Sequence, residues 1–214
     1  MWLEGPIIAI GECMIELSDF DTADGRVRLG FAGDTCNTAI YLSRLLGSEG
    51  PRVSYATALG DDALSARMMR ALRAEGLDID LIARLPGKLP GIYAIEVDAE
   101  GERSFRYWRE ASAARQMFSE GGLNPDRLGP CGMLYLSGIT LAILSDAQRE
   151  RLVALMHRVR QAGGQVAFDG NYRPRLWASP DDARRWTIRA LAASTIALPS
   201  VDDELALFGD ADEG

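Results

Sequence analysis

Histidine and cysteine are nearly missing from these 214 residues. The one histidine, His157, lies far in sequence from every other motif and is expected to be a solvated helix residue. Cys13, Cys36 and Cys131 stand apart from one another, and isolated cysteines in odd number give neither a metal-ligand spacing nor a disulfide framework. That pattern points to a reducing, cytoplasmic home, with Cys13 and Cys36 as small core residues. No basic cluster occurs. The 23 Lys and Arg face 31 Asp and Glu for a net charge of −8, which argues against a nucleic-acid partner. No apolar run is long enough to cross a bilayer, and "MWLEGPIIAIGEC" has no basic start, so neither a membrane partner nor a signal peptide is expected. The turn after the first apolar run lacks Gly-x-Gly-x-x-Gly, which excludes a dinucleotide-dependent redox enzyme.

What remains is a chain with 47% hydrophobic and 25% charged residues, long enough to bury a real core as one large domain. Strand and helix patterns alternate along it. "IIAIGECMIEL" (7–17) begins as a continuous apolar run, the mark of a strand covered on both faces. Further strands are expected at 52–60, 132–140, 165–173 and 195–200. Between them, Asp61 and Asp62 open a helix that closes at Gly76. Ser145 with Gln148 reads as a capping box ahead of the stripe Leu152, Val153, Met156 and Val159. Ser179, Pro180, Asp181 and Asp182 announce another helix, and "VDDELALFG" a last short one. The expected fold is α/β, a mostly parallel sheet with helices on both faces.

Two stretches, 26–31 and 91–110, alternate with period two instead, and the second turns at 98–101. It reads as a β-hairpin, either a flap that closes over a ligand or a plain edge. Tyr93, Ile95 and Val97 share one face of its first strand; Phe105, Tyr107 and Arg109 share one face of its second. Arg109 is then one end of an aromatic wall, or an arginine snorkelling off an exposed strand. Asp169, Asn171 and Arg173 alternate past the apolar end of a strand, where open α/β sheets bind ligands, although Asp and Asn also simply form turns. Two arginine forks aimed at one cavity would suit an acidic substrate.

In "GFAGDTCNTAIYLSRLLG" (30–47) a glycine loop empties through Asp34, Thr35 and Asn37 into a helix that is apolar on nearly every face. The helix therefore reads as buried, with a polar mouth whose hydrogen-bonding groups a ligand would satisfy. Gly33, Asp34, Asn37 and Ala39 look like the amino-terminal signature of the ribokinase/PfkB sugar kinases. "GECMIEL", "GFAGDTCNTAIYLSRL", "GIYAIEVDAEGERSFRYWRE" and "FDGNYRPRLW" further resemble the 2-keto-3-deoxygluconate kinases within that family, in matching order from 7 to about 209. The resemblance implies a ribokinase-like three-layer sandwich with a small β lid at about 18–32 and 91–110. It implies ATP-dependent phosphorylation of the terminal hydroxyl of 2-dehydro-3-deoxy-D-gluconate. Gly33 (through its backbone), Asp34 and Asn37 would hold sugar hydroxyls; Tyr93 and Tyr107 would line the chain. Asn171 would join the same site, and Arg109 and Arg173 would take the carboxylate.

Where the family shows two glycines this chain has Ala32-Gly33, which would stiffen the hinge below the lid. The family's Gly-Ala-Gly-Asp element, which carries the general base and an anion hole, has no counterpart in these 214 residues. The chain is thus expected to lack the C-terminal third of the fold and to hold mainly the sugar-acid site, with no catalytic base of its own. "LPSVDDELALFG" resembles the family's Asn-x-x-Glu region without the asparagine. Ser200 with Asp203, or Val201 with Glu204, are its two registers. The nucleotide and Mg²⁺ side is assigned to Asp169, Ser200 and Glu204, with Glu204 as the metal-side carboxylate. The plain alternative is that Asp202, Asp203 and Glu204 complement a helix dipole. A non-catalytic sugar-acid-binding fragment and a fructokinase-like kinase are the other readings; the resemblance allows a homodimer through the lid, and the sequence leaves the assembly open.

Overall fold

The apolar run at 7–17 breaks after four residues, and the break builds two sheets where one strand was expected. The computed structural model describes residues 4–21, 24–98, 100–128 and 130–209. β1 (Ile7–Ile10) ends at Gly11, and the chain re-emerges as β2 (Met14–Asp21) in a different sheet. A Cβ on Gly11 would collide with the Thr35 hydroxyl, so the crossover needs glycine for close approach. β3 (Arg26–Ala32) turns back on β2, and α1 (Asp34–Leu46) follows.

The chain continues through β4 (Val53–Leu59), α2 (Ala63–Ala74), β5 (Ile82–Arg84), β6 (Ile92–Val97) and β7 (Arg103–Trp108). Then come β8 (Met133–Ser137), α3 (Gly138–Ala142), α4 (Asp146–Gln161), β9 (Gln165–Asp169), α5 (Pro180–Ala193), β10 (Ile196–Leu198) and α6 (Val201–Phe208). Six strands form a parallel sheet in the order β10-β9-β8-β1-β4-β5. β1 shows why there are three layers. Ile7 and Ala9 face a core with Tyr55 and with Met68 and Leu72 of α2, while Ile8 and Ile10 face another with Leu152, Met156 and Trp186 of α4 and α5. Successive side chains point to opposite faces, so a strand apolar at every position must be covered twice.

The second sheet has the order β3-β2-β6-β7 and holds both stretches of period-two pattern. β6 and β7 pair antiparallel with Tyr93 opposite Tyr107 and Ile95 opposite Phe105. This sheet starts at Met14, earlier than the bounds of about 18–32 that the resemblance implies for the lid.

Local signals held where capping is a short-range matter. Asp62 accepts from Leu64 and Ser65 at the start of α2, and Ser179 accepts from the Asp182 amide at the start of α5. The capping box at Ser145 does not form. Gln148 donates to Ser145 Oγ (3.2 Å) and to the Arg115 carbonyl (3.1 Å) and accepts from the Phe118 amide, because a neighbouring loop had backbone groups in need of partners. The expected strand 132–140 stops at Ser137 and coils into α3, and the strand 165–173 stops at Asp169.

The helix after the glycine loop is not buried. In α1 only Thr35, Cys36 and Ala39 are, and Tyr41 and Leu45 are 62% and 82% exposed, because α1 covers one outer face of the sheet. At the mouth Thr35 and Cys36 are interior and Gly33 and Asp34 half-buried, and the body is largely surface.

Candidate functional site

The crossover from β1 to β2, the mouth of α1, the flap hairpin and the chain beyond β9 meet around one cavity of about 230 Å³. Gly33, Asp34 and Asn37 line it from α1, and Tyr93 and Tyr107 from the flap. Arg109, Asn171 and Arg173 complete the set expected from the sequence to meet there.

Gly33 is glycine because a Cβ on it would run into the Glu12 carbonyl, so the crossover and the helix mouth lie backbone against backbone. Asp34 accepts from the Ser137 hydroxyl and from Asn171 Nδ2 at 3.0 Å. Asn171 holds a φ of 34°, a left-handed conformation that asparagine tolerates, and this turns its amide back toward α1. Thr35 meets the Tyr55 hydroxyl at 3.2 Å, and Thr38 reaches the Asp34 carbonyl and the Tyr135 hydroxyl. Most of the mouth is therefore satisfied within the protein, contrary to the expectation that a ligand would do it, because buried polar groups need partners with the cavity empty as well. Asn37 is the exception: its side chain is exposed, and its one contact to Gly33 N spans 3.5 Å.

On the flap, the Tyr93 and Tyr107 rings stack with centroids 5.8 Å apart, and Phe105 joins at 6.3 and 6.4 Å. The Tyr93 hydroxyl donates to Glu16, and burial together with that carboxylate pushes its pKa well above the usual phenol range.

The two arginines reach the cavity in different states. Arg109, just past β7, is 5% exposed and pairs through Nη2 with Glu12, whose other oxygen accepts from Ser112 Oγ at 2.5 Å. Its guanidinium carbon lies 5.9 Å from the Tyr107 ring centre, and its Nε is buried with no hydrogen-bond partner among the described residues. Burial raises the Glu12 pKa, with the Arg109 charge opposing. Arg173 has a side chain that is 55% exposed; it donates to the Tyr172 carbonyl at 2.8 Å and to Asp203 of α6 at 3.4 Å.

Asp169, Ser200 and Glu204 are not among the residues that line this cavity. Asp169 ends β9 and accepts from the Tyr135 hydroxyl at 3.4 Å; burial first, and then the Asp34 charge, raise its pKa. Ser200 caps α6 by accepting from the Asp203 amide at 3.3 Å. Glu204 Oε1 lies against Gly170, 3.7 Å from where a Cβ would stand. Among the described residues no group of three or more His, Cys, Asp or Glu side chains could hold a metal ion.

Glu12, Glu16 and Ser137 escaped the sequence reading, and Asp203 was named there without its tie to Arg173. The signal for the first two was there, since a carboxylate inside an apolar run needs a partner wherever it is buried.

The family profile described as "pfkB family carbohydrate kinase" matches residues 6–214. The 2-dehydro-3-deoxygluconokinase of Dickeya dadantii is 47% identical over 206 residues, covering 95% of this chain and 66% of that protein. The Escherichia coli K12 protein of the same name is 45% identical over 205 residues, covering 95% of this chain and 65% of its own length. The crystal structure of the Thermotoga maritima 2-dehydro-3-deoxygluconokinase superposes with a TM-score of 0.85 at 24% identity, covering 99% of this chain and 64% of that one, a likeness of fold. This chain thus spans about two thirds of the length of the relatives that it matches.

Proposed function

The chain belongs to the pfkB family of carbohydrate kinases, and from that premise we propose that its cavity is the sugar-acid site of an ATP-dependent kinase acting on 2-dehydro-3-deoxy-D-gluconate. The observation that carries the reading is the convergence of Arg109 and Arg173 on one cavity with the mouth of α1. A neutral sugar gives two guanidinium groups only uncharged acceptors. A carboxylate offers each an acceptor in the planar geometry that it favours.

The Gly33 backbone, Asp34, Asn37 and Asn171 hold the hydroxyls, and Tyr93 and Tyr107 wall the carbon chain. Asp169, Ser200 and Glu204 belong to the nucleotide side. Glu204 Oε1 lies beside Gly170, the residue after Asp169, and a carboxylate there suits a Mg²⁺ ion that keeps most of its waters. Bound there, Mg²⁺ would offset phosphate charge. The flap leaves Val97 and Trp108 exposed, and a second copy of the chain is the proposed partner on that sheet, to be checked by sedimentation.

Calorimetric titration with 2-keto-3-deoxygluconate, followed by an ADP-release assay with ATP and Mg²⁺, tests the reading. Binding of the acid with weak or no binding of its neutral 1-alcohol, 3-deoxyfructose, supports it. Equal affinity for the two overturns the acid assignment. Turnover by these 214 residues would place a catalytic base within them; binding without turnover fits the sugar-acid half alone.

A further inference from the structure

Glu12 sits at the crossover between the two sheets, 2% exposed, in a run that is otherwise apolar. It touches both sides of the cavity. Its carbonyl lies against Gly33 at the mouth of α1, and its carboxylate holds Arg109 and Ser112 beside the flap. With Nη2 fixed by Glu12 and the Tyr107 ring near the guanidinium, the plane of Arg109 has little freedom to turn. The Nε–H is buried and has no acceptor among the described residues. Arg109 lines the cavity, and a carboxylate is a strong acceptor for guanidinium donors.

We propose that Glu12 is a positioning residue that orients the Arg109 guanidinium at the cavity wall, and thereby sets the preference of the cavity for a sugar acid over a neutral sugar. This deepens, and rests on, the sugar-acid reading of the same cavity. A rival effect has the opposite sign. If Glu12 did no more than cancel the Arg109 charge, removing it would leave the cavity more cationic and strengthen acid binding. Orientation and neutralisation are therefore separable by direction.

The test is calorimetry of the 214-residue chain with 2-keto-3-deoxygluconate and with 3-deoxyfructose, reading the ratio of the two affinities. Glu12→Gln keeps the shape of the side chain and removes its charge. The expected result is about a tenfold fall in the acid preference, the loss of one oriented charge-assisted hydrogen bond. In an Arg109→Ala background the same substitution leaves the remaining ratio unchanged, because Glu12 acts through Arg109. Ser112→Ala removes one of the two anchors of Glu12 while leaving its charge; it gives a smaller fall in the same direction and serves if Glu12→Gln does not fold. An unchanged or increased ratio in Glu12→Gln, or a fall that persists without Arg109, overturns the positioning role while the sugar-acid reading stands. A wild-type chain that does not favour the acid overturns that reading itself, and this inference with it.

Discussion

Arg109 and Arg173 are the same residue type on the wall of the same cavity, yet the fold treats them differently. Arg109 is 5% exposed, locked to a buried carboxylate and stacked near an aromatic ring. Arg173 is 55% exposed along its side chain and is tied loosely to Asp203. The flap side of the cavity is organised before any ligand arrives, whereas the strand-end side has to be organised by it. Changes on the first side should therefore disturb stability and binding together. Changes on the second should disturb binding almost alone.

The sharpest way to break that contrast is Arg109→Ala. It strands Glu12 as a buried charge, and the expected loss of unfolding free energy is about 3–5 kcal/mol, read from urea melts. An unshifted midpoint would mean that the pair carries no such weight. Arg173→Ala is the counterpart. Its ion pair is largely solvated, so stability should move by less than about 1 kcal/mol. Calorimetry should meanwhile show the acid held about 10- to 100-fold more weakly, the worth of hydrogen bonds to a charged group. A stability loss like that of Arg109→Ala would erase the distinction.

Tyr93→Phe probes the organised side more gently. It deprives Glu16 of a donor while keeping the ring stack, and should lower stability by about 1 kcal/mol, seen as a thermal shift of a few degrees. Asp169 supplies the smallest effect, on the other side. Its folded pKa is raised above the ordinary 3.8 by burial and the Asp34 charge, so the folded chain holds a proton that the unfolded chain has already lost. Ionisation then costs the fold: the stabilising contribution is full below the ordinary value and is lost as pH rises through the raised one. Asp169→Asn should flatten that part of the pH–stability curve, and a difference curve between the two proteins that does not change with pH there would refute the linkage.

What could be read from the sequence follows from how far each signal reaches. The faces of each flap strand were legible because a strand repeats every two residues, so Tyr107 was grouped with Phe105 and Arg109, and Tyr93 with Ile95 and Val97; the register that sets Tyr93 opposite Tyr107 brought the two faces together. Asp62 and Ser179 were legible as caps because a cap bonds to amides two or three residues away. Gln148 was not, since its partners Arg115 and Phe118 lie some thirty residues back on a loop that no local pattern places. The exposure of Tyr41 and Leu45 was misread for a related reason. An apolar residue on a helix says that burial would be favourable, but another element must be there to supply it.

The order of strands and helices, the two-faced burial of β1 and the residue types around the cavity were written in the chain itself, because periodicity, caps and resemblance are properties of neighbouring residues. Tertiary structure alone decided that the first apolar run would split at Gly11 into two sheets, since that depends on the close approach of Thr35 from α1. It alone decided that Glu12 would meet Arg109 across 97 positions of sequence, and that the two arginines would differ in freedom. Charge and burial of this kind are set by which distant segments come to lie against one another, and no stretch of sequence contains both partners.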